Sequence, residues 1–472
     1  MITRRDALKG LGALVGAAAA PDLLAACTNT ESGGGTPDLM QPRGITTIVT
    51  VCMENRSYDH YLGARSLVEK RPGDGLMAGM QVPDADGKMT PIHRGDVACV
   101  ADPPHGWDPS HTQWNAGKND GFMRAYQASQ GRQVPPHVMG WLGREELPVT
   151  WALADAYTSF DRWFASVMGP TWPNRHYLHS AQSGGLKSNK FAEGRLFFEW
   201  KTIYHHLSEA NIPWRYYYSD LPFLALYKDV DPQRKGVHPI ADFFADAAAG
   251  TLPPVVSIDP GFTLNDDHPP HHPLYGQQFI ASIYAALAAS PQWVNVLLVV
   301  TYDEHGGFFD HVSPPKTDDD FAADGFDQLG FRVPAIIAGP YVKPGYVSST
   351  IHDHTSVIKH IGGMFKLTPL TKRDAAANDL SDAIDMDRLA RNDPAPPIKL
   401  PAVMIDPMMI SPDCKEGESG LARAPSDPTD IEQLADRGGI DPALDLRGRR
   451  METLELIARE LERHGAGGFL RR

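Results

Sequence analysis

Two long apolar runs rich in β-branched residues set the strongest limit on the fold of this chain. Residues 45–53 and 294–302 are almost entirely apolar or threonine, with two shorter runs of similar character at 255–258 and 333–338. A strand that is apolar along its whole length is buried on both faces, which is typical of parallel sheets covered by helices. The pattern therefore predicts at least four buried strands.

Between these strands the apolar residues recur with helical spacing. Such stretches cover roughly residues 150–165, 174–183, 277–290 and 354–365. Strands that alternate with amphipathic helices are typical of a layered α/β domain. We therefore predict an α/β fold with a mostly parallel sheet between helices.

The domain organisation follows from a change in composition late in the chain. Residues 44–365 hold the predicted strands and helices and form the predicted α/β domain, whereas residues 366–445 are rich in Asp, Pro and Ala. A charged amphipathic helix is predicted over 449–462. We expect residues 366–472 to wrap around the same domain as a C-terminal segment.

The N-terminus carries the marks of a targeting segment. Arg4 and Arg5 precede an apolar run over residues 11–20, which is typical of a cleaved signal peptide and too short to span a membrane. The arginine pair resembles a twin-arginine export signal, although Ala7 stands where that signal usually has Phe. Residues 24–27 resemble a lipobox, in which Cys27 would be lipidated; a plain cleaved signal with a chance cysteine is the alternative.

Residues 1–27 are thus predicted to be a signal peptide, and residues 28–43, rich in Gly, Ser, Thr and Pro, a flexible tether. The expected location is outside the bacterial inner membrane, as a periplasmic protein, a lipoprotein anchored to the membrane through Cys27, or a secreted protein.

Charge and cysteine content exclude several classes of protein. A net charge of −14 lacks the basic footprint that nucleic acids require. Four cysteines are too few for a disulfide scaffold. Cys52 lies in an apolar run and is expected to be buried, and a bridge between Cys99 and Cys414 stays open. An anionic substrate would need a metal or local positive charge.

Carboxylates follow both long strands. Glu54 and Asn55 follow the first strand, and Asp303 and Glu304 follow the second. Ligands of open α/β sheets bind beyond the carboxyl ends of strands, so these residues are expected to converge. Two carboxylates about 4 Å apart repel by about 4 kcal/mol at an effective dielectric constant of about 20, which a divalent cation would relieve. Oxygen ligands favour calcium, and histidine would extend the choice to zinc or iron.

A hydroxyl on a rigid turn is the third element of the predicted site. Pro170 and Pro173 flank Thr171, and a helix is predicted from Asn174. Exposed N–H groups at a helix N-terminus bind anions, and a nearby metal would make the Thr171 hydroxyl a stronger nucleophile. The alternative is that Thr171 merely caps the helix.

Histidines in turn-like contexts complete the candidate residues. His105 and His111 lie in one segment, His268 in a second and His354 in a third. Each could bind a metal, protonate a leaving group or lie on the surface without a role. Their clustering predicts that at least two serve the site.

Three spaced motifs together resemble a known family. Residues 54–63 (ENRSYDHYLG), the turn over 169–175 and residues 303–311 (DEHGGFFDH) are similar to the bacterial phosphoesterases, which include the phosphatidylcholine-type phospholipases C and the respiratory-burst-inhibiting acid phosphatases. Residues 119–122 and 353–356 also fit. Tyr58 and Leu62 are departures, since Phe is common at both positions.

The resemblance implies a core similar to the alkaline phosphatase superfamily and a role for each matching residue. Thr171 would be the nucleophile as well as a metal ligand. The other implied residues are the metal ligands Glu54, Asn55, Asp303 and Glu304, the histidines His268 and His105 or His111 for the phosphoryl oxygens or the leaving group, and the phosphate contacts Arg175 and His354.

Three functions remain open from the sequence. Threonine at the nucleophile position resembles the phospholipase branch, which would release diacylglycerol and a phosphorylated head group. An acid phosphatase with the same site is the second function, and a non-catalytic lipoprotein that binds lipid or phosphate is the third. A choline head group would favour an aromatic cage, for which Trp107, Trp114, Tyr126 and Trp172 are available.

Overall fold

The computed structural model describes residues 44–95, 100, 102–191, 197–232, 235–403, 405 and 446–471, without the side chains of 446–454 and 471. The predicted signal peptide, Cys27, the tether over 28–43, Cys99 and Cys414 lie outside the described residues. For these parts of the chain the predictions stand on the sequence alone.

An eight-stranded sheet forms the centre of the protein, and three two-stranded pairings lie outside it. In chain order the strands are β1 (Thr47–Met53), β2 (Gln81–Pro83), β3 (Met89–Pro91), β4 (His93–Arg94), β5 (Gly140–Trp141), β6 (Thr158–Phe160), β7 (Trp214–Tyr218), β8 (Val237–Pro239), β9 (Val255–Asp259), β10 (Val296–Tyr302), β11 (Ala335–Ala338), β12 (Val347–Ser348), β13 (Leu400–Pro401) and β14 (Leu470–Arg471).

Twelve α-helices occur in the described part of the chain. They are α1 (Ala64–Glu69), α2 (Trp107–Trp114), α3 (Phe122–Gln130), α4 (Pro148–Ala156), α5 (Thr171–Ser180), α6 (Ile203–Glu209), α7 (Ile240–Ala249), α8 (Pro273–Ala289), α9 (Thr355–Phe365), α10 (Lys372–Ala376), α11 (Met386–Arg391) and α12 (Leu446–Arg463).

The central sheet has the order β12-β6-β11-β10-β1-β9-β7-β8. β11 runs antiparallel to both of its neighbours, and every other pairing in the sheet is parallel. All seven residues of β1 and of β10 are buried, as expected of strands covered on both faces. The prediction of an α/β fold with a mostly parallel sheet between helices is confirmed.

Two sets of helices pack around this sheet. Contacts join α7 and α12 to α8, which also packs on α4, and a second set joins α5 to α6 and to α9. The hydrophobic core that they share with the strands extends to Leu400 and Ile457, so described parts of the C-terminal segment pack on the same core. Among the residues described, no helix is long and apolar enough to cross a membrane.

One predicted helix is wrong over half its length. The structure ends α4 at Ala156 instead of continuing to residue 165, and Thr158–Phe160 forms β6 between β11 and β12. Pairing with two strands satisfies the backbone of this segment and overrides its apolar helical spacing. The predictions at 174–183, 277–290, 354–365 and 449–462 correspond to α5, α8, α9 and α12 with ends shifted by a few residues.

The register of β1 and β10 determines where the acidic residues after these strands lie. Met53 and Tyr302 are partners at the ends of the parallel strands β1 and β10. Glu54 directly follows β1 and Asp303 directly follows β10. These two residues therefore lie side by side where the strands end. β9 pairs with β1 on its other side and ends at Asp259. Three acidic residues thus meet at one edge of the sheet.

Candidate active site

A buried arginine holds these three acids together. Arg175, on α5, contacts Asp259 at 3.1 Å, Glu54 at 3.2 Å and Asp303 at 3.3 Å through its guanidinium nitrogens. The same group donates to the backbone carbonyl of Cys52 at 3.0 Å. The side chain is fully buried, and so is that of Asp303. All three guanidinium nitrogens are therefore engaged by the protein.

The structure shows that all three guanidinium nitrogens of Arg175 are committed to carboxylates and backbone carbonyls of the protein. The phosphate contact expected for Arg175 stays a prediction. The function of Arg175 in the structure is that of a counter-ion for the acids. Burial opposes the charge of Arg175, but the acids around it, with the Cys52 thiol, raise its pKa well above the ordinary value.

Asn55 and Glu304 bring a second layer of polar atoms to Asp303. The backbone N–H groups of Asn55 and Glu304 donate to the same carboxylate oxygen of Asp303, at 3.1 and 2.7 Å. His105 Nε2 lies 3.3 Å from the Asn55 amide nitrogen and 4.0 Å from Glu304 Oε1. Burial raises the pKa of Glu304 well above its usual range, opposed by His105 and reinforced by Asp303. Four predicted site residues therefore do converge.

A glycine allows the two strand-end loops to touch. Gly306 has a positive φ of 62°, and a Cβ on it would lie 2.0 Å from the carbonyl oxygen of Asn55. No other residue could fit there without moving the backbone. Asn55 itself has a φ of 59°, in the left-handed region that asparagine tolerates.

Thr171 is the first residue of α5, and its hydroxyl is buried with no hydrogen-bond partner. The alternative role as a helix cap is therefore wrong, because Thr171 Oγ1 bonds to no backbone N–H. Arg175 follows four residues later on the same helix face, about 6 Å along the axis. Thr171 thus lies one helical turn before Arg175, the residue that binds the acids.

The first turn of α5 offers fewer N–H donors to an anion than predicted. The Trp172 N–H donates to the Asn189 side chain at 2.9 Å, and Pro173 has no N–H. The Asn174 side chain instead accepts from Val167 N–H and donates to the Gly169 carbonyl, which fixes the turn before Thr171.

The uncompensated oxygens fit a cation. Asn55 Oδ1, Thr171 Oγ1 and Glu304 Oε1 are buried without a hydrogen-bond partner, which costs free energy unless another group pairs with each of them. Arg175 neutralises only one of the charges on Glu54, Asp259 and Asp303. The donor set, rich in oxygen, suits a divalent cation.

A neighbouring group, Asp102, His105 and His268, also has ligand geometry. One ligand atom from each lies within 4.8 Å of the others, so the three could hold a metal ion. The rings of His105 and His268 meet edge to face at 5.7 Å. Asp102 was not among the residues predicted for the site. Because His105 also contacts Asn55, this group and the acids form one continuous polar region.

The other predicted histidines lie in different surroundings. His111 stacks on Trp107, with ring centroids 4.7 Å apart, and bonds through Nδ1 to the Trp107 carbonyl. His354 is fully buried, and its Nε2 bonds to the backbone carbonyl of Asp303 at 2.6 Å. His354 therefore supports the strand end through the Asp303 carbonyl, and its phosphate contact stays a prediction. Of the alternatives His105 and His111, His105 lies at the acids.

The proposed aromatic cage is not assembled. Tyr126 and Trp172 are fully buried in the hydrophobic core, and Trp114 hydrogen-bonds Ser313 on the surface. Trp107 alone lies beside the turn that carries Thr171, with its ring 3.4 Å from the position of a Cβ on Gly169. The face of this ring is covered by the Lys187 ammonium at 4.4 Å.

The second half of the motif over 303–311 has a structural function. Arg332 is fully buried and binds Asp310 at 2.9 Å and Asp59 at 3.0 Å, and His311 binds Asp59 at 2.6 Å. This ion cluster joins the loop after β10 to the segment after β1. It holds in place the loops that carry the acids.

Sequence reasoning missed Asp259, although a carboxylate at the end of a predicted strand was a usable signal. Asp102 and Lys187 had no such signal, because each depends on a loop that packs onto the site from a distant part of the chain.

Acids at the ends of parallel strands, gathered beside a buried hydroxyl at a helix N-terminus, define this α/β protein as a candidate phosphoester hydrolase. The comparisons with known proteins agree. The model of the Phosphoesterase family matches residues 45–368, and the chain belongs to that family. It is a hydrolase acting on phosphoric ester bonds.

Curated relatives carry phospholipase names. Non-specific phospholipase C1 of Arabidopsis thaliana is 36% identical over 401 residues, covering 76% of this chain and 74% of the relative. Phospholipase C B of Mycobacterium tuberculosis (strain ATCC 25618 / H37Rv) is 31% identical over 409 residues, covering 72% and 78%. A solved member of the alkaline phosphatase superfamily from Vibrio parahaemolyticus is 11% identical, with 72% and 71% covered and a TM-score of 0.35, a likeness too slight to define the fold.

Replacing Arg175 by Met tests its role as a counter-ion. The substitution leaves three buried carboxylates without their cation, so the free energy of unfolding should fall by about 3–5 kcal/mol. Urea unfolding followed by circular dichroism in the presence of a chelator measures this change. Arg124→Met, which removes a half-exposed ion pair with Asp120, should lower it by less than about 1 kcal/mol. Unchanged stability with a raised KM would instead mean that Arg175 binds substrate.

Proposed function

We propose that this protein is an exported, metal-dependent phospholipase C in which Thr171 is the nucleophile. The observation that carries the proposal is the buried Thr171 hydroxyl, which has no hydrogen-bond partner and lies one helical turn before Arg175, the counter-ion of the acids. Burying a hydroxyl unpaired costs free energy, and nucleophiles are where such a cost is accepted. The phospholipase names of the relatives support the choice of substrate.

In the proposed reaction, the Thr171 hydroxyl proton passes to water, Oγ1 forms a bond to phosphorus, and the bond from phosphorus to the glycerol oxygen breaks. The leaving oxygen takes a proton from His105 or His268, which lie together at the outer side of the acids. Diacylglycerol departs, and a phosphorylated head group stays on Thr171. Water then attacks the same phosphorus, which restores the hydroxyl and releases the head group.

A divalent cation fits the residues that surround Thr171. Glu54, Asn55, Thr171, Asp303 and Glu304 would hold it, and calcium, zinc and iron all remain candidates. Once bound, the cation would lower the pKa of a coordinated hydroxyl and neutralise charge that develops on the phosphoryl oxygens. Arg175 fixes the Asp303 carboxylate through Oδ2. The Asp102–His105–His268 group is the neighbouring location where a metal could bind.

An acid phosphatase is the second candidate function, because the nucleophile and the acids would serve a phosphate monoester equally well. The two functions differ in what must fit beside Thr171. A phosphate monoester has a single substituent on phosphorus, whereas a phospholipid has two. Trp107 and Lys187 border the turn before Thr171 and would contact the second substituent.

Substitution of Thr171 tests the nucleophile. Thr171→Ala should lower kcat by at least about 10³-fold, because the covalent route is lost, whereas Thr171→Ser retains a hydroxyl and should stay within about tenfold of the wild type. Release of diacylglycerol from phospholipid micelles and hydrolysis of p-nitrophenyl phosphate are both measured. Because Thr171 Oγ1 makes no hydrogen bond and each variant loses only one buried methyl group, the free energy of unfolding should fall by no more than about 1.5 kcal/mol. Full turnover by Thr171→Ala would exclude the proposed nucleophile.

Asp303→Asn tests the metal. The amide keeps the shape of the side chain but removes the charge that a divalent cation needs, so the purified variant should contain little of the metal that the wild type retains. Elemental analysis of both proteins gives the ratio. Asp310→Asn is the matched control, since Asp310 is an equally buried acid of the same loop that binds Arg332, and this variant should keep its metal. An Asp303→Asn variant with full metal content would contradict the assignment.

Export and lipidation are tested on the N-terminal segment. In a bacterial host the mature chain should lack the residues before Cys27, and radiolabelled palmitate should be incorporated. Cys27→Ser should abolish the label while leaving activity unchanged. Recovery of the full-length chain in the cytoplasm would refute export, and a cleaved but unlabelled wild-type chain would refute lipidation alone.

A further inference from the structure

An aromatic surface borders the proposed catalytic residues, and a lysine of the same chain occupies it. The rings of Trp107 and Phe326 lie 5.0 Å apart, and His111 stacks beside Trp107. The Lys187 ammonium lies 4.4 Å from the Trp107 ring centroid and 5.7 Å from that of Phe326. Within the described part of the chain, no carboxylate pairs with Lys187 in a salt bridge.

This aromatic surface adjoins the reacting hydroxyl. The Trp107 ring packs on Gly169, two residues before Thr171, and Trp107 follows His105 by two residues. A substituent on a phosphorus atom held at Thr171 and His105 would therefore extend along Trp107. Lys187 belongs to the loop after α5, the helix that Thr171 begins, so one short segment supplies both the nucleophile and the cation.

We propose that Lys187 makes this enzyme select phospholipids whose head groups carry no cation. The inference rests on the proposed phospholipase function and names its substrate class. The preferred face for a quaternary ammonium is that of a tryptophan ring, and here the Lys187 ammonium already occupies it. A choline head group must displace Lys187 and then remain beside its positive charge.

Neutral and anionic head groups are not repelled by the Lys187 ammonium. A glycerol head group can accept a hydrogen bond from the Lys187 ammonium, and an anionic group gains from its charge. Neither needs the aromatic face, so the contact between Lys187 and Trp107 can persist while the substrate is bound. Lys187 thus acts as a specificity residue by repelling one class of head group and attracting the other.

The test compares phosphatidylcholine with phosphatidylglycerol of identical acyl chains, each in the same neutral detergent micelle. The wild type should hydrolyse phosphatidylglycerol faster. Lys187→Gln should raise the ratio of kcat/KM for phosphatidylcholine over phosphatidylglycerol by about fivefold, from loss of the cation and exposure of the aromatic face. Released diacylglycerol is the readout for both lipids.

Two controls separate the local effect from net charge. Lys190→Gln removes the same charge three residues away, where the described chain places no aromatic ring against the ammonium, and it should leave the ratio at the wild-type value. Lys187→Arg keeps a cation on the ring and should do the same. An unchanged ratio in Lys187→Gln, with both lipids hydrolysed, overturns this inference alone. A wild type that hydrolyses neither lipid overturns the phospholipase function and the inference with it.

Discussion

The ion contacts of Arg175 are the constraint on which the rest of the site depends. Glu54, Asp259 and Asp303 end three neighbouring parallel strands, and without a cation between them their mutual repulsion would force the strand ends apart. A rigid guanidinium satisfies all three at fixed angles, which lysine could not do. Because α5 carries both Arg175 and Thr171, the same contacts that close the edge of the sheet also set the position of the hydroxyl.

The central strands could be predicted from the sequence because a strand that is buried on both faces consists of a continuous apolar run. β1 and β10 are such strands, and the acids that follow them were correctly expected to converge. β7 and β6 were missed for a physical reason. Trp214–Tyr218 is aromatic with an arginine as its second residue, and Thr158–Phe160 is three residues long, so neither has a local pattern that outweighs its surroundings.

The chemistry of individual side chains was harder to predict than their location. Arg175 was expected to bind phosphate because the resemblance to the phosphoesterases implied it, whereas its contacts with acids from distant strands are visible only in the three-dimensional structure. Lys187 carried no signal in the sequence at all, since its contact with Trp107 depends on how two loops meet. The type of a residue and its position after a strand can be recognised in the local sequence. The residues that pair with a charged side chain depend on the whole fold and cannot be recognised in this way.

The contact between Gly306 and the Asn55 carbonyl limits the backbone changes that this protein can tolerate. The loops after β1 and β10 touch so closely at this point that not even one methyl group fits between them. Their backbones are therefore coupled in position, although about 250 residues separate them along the chain. A drift in either backbone must be matched by the other. Lys187 lies outside this contact, so its side chain can be exchanged without moving either backbone.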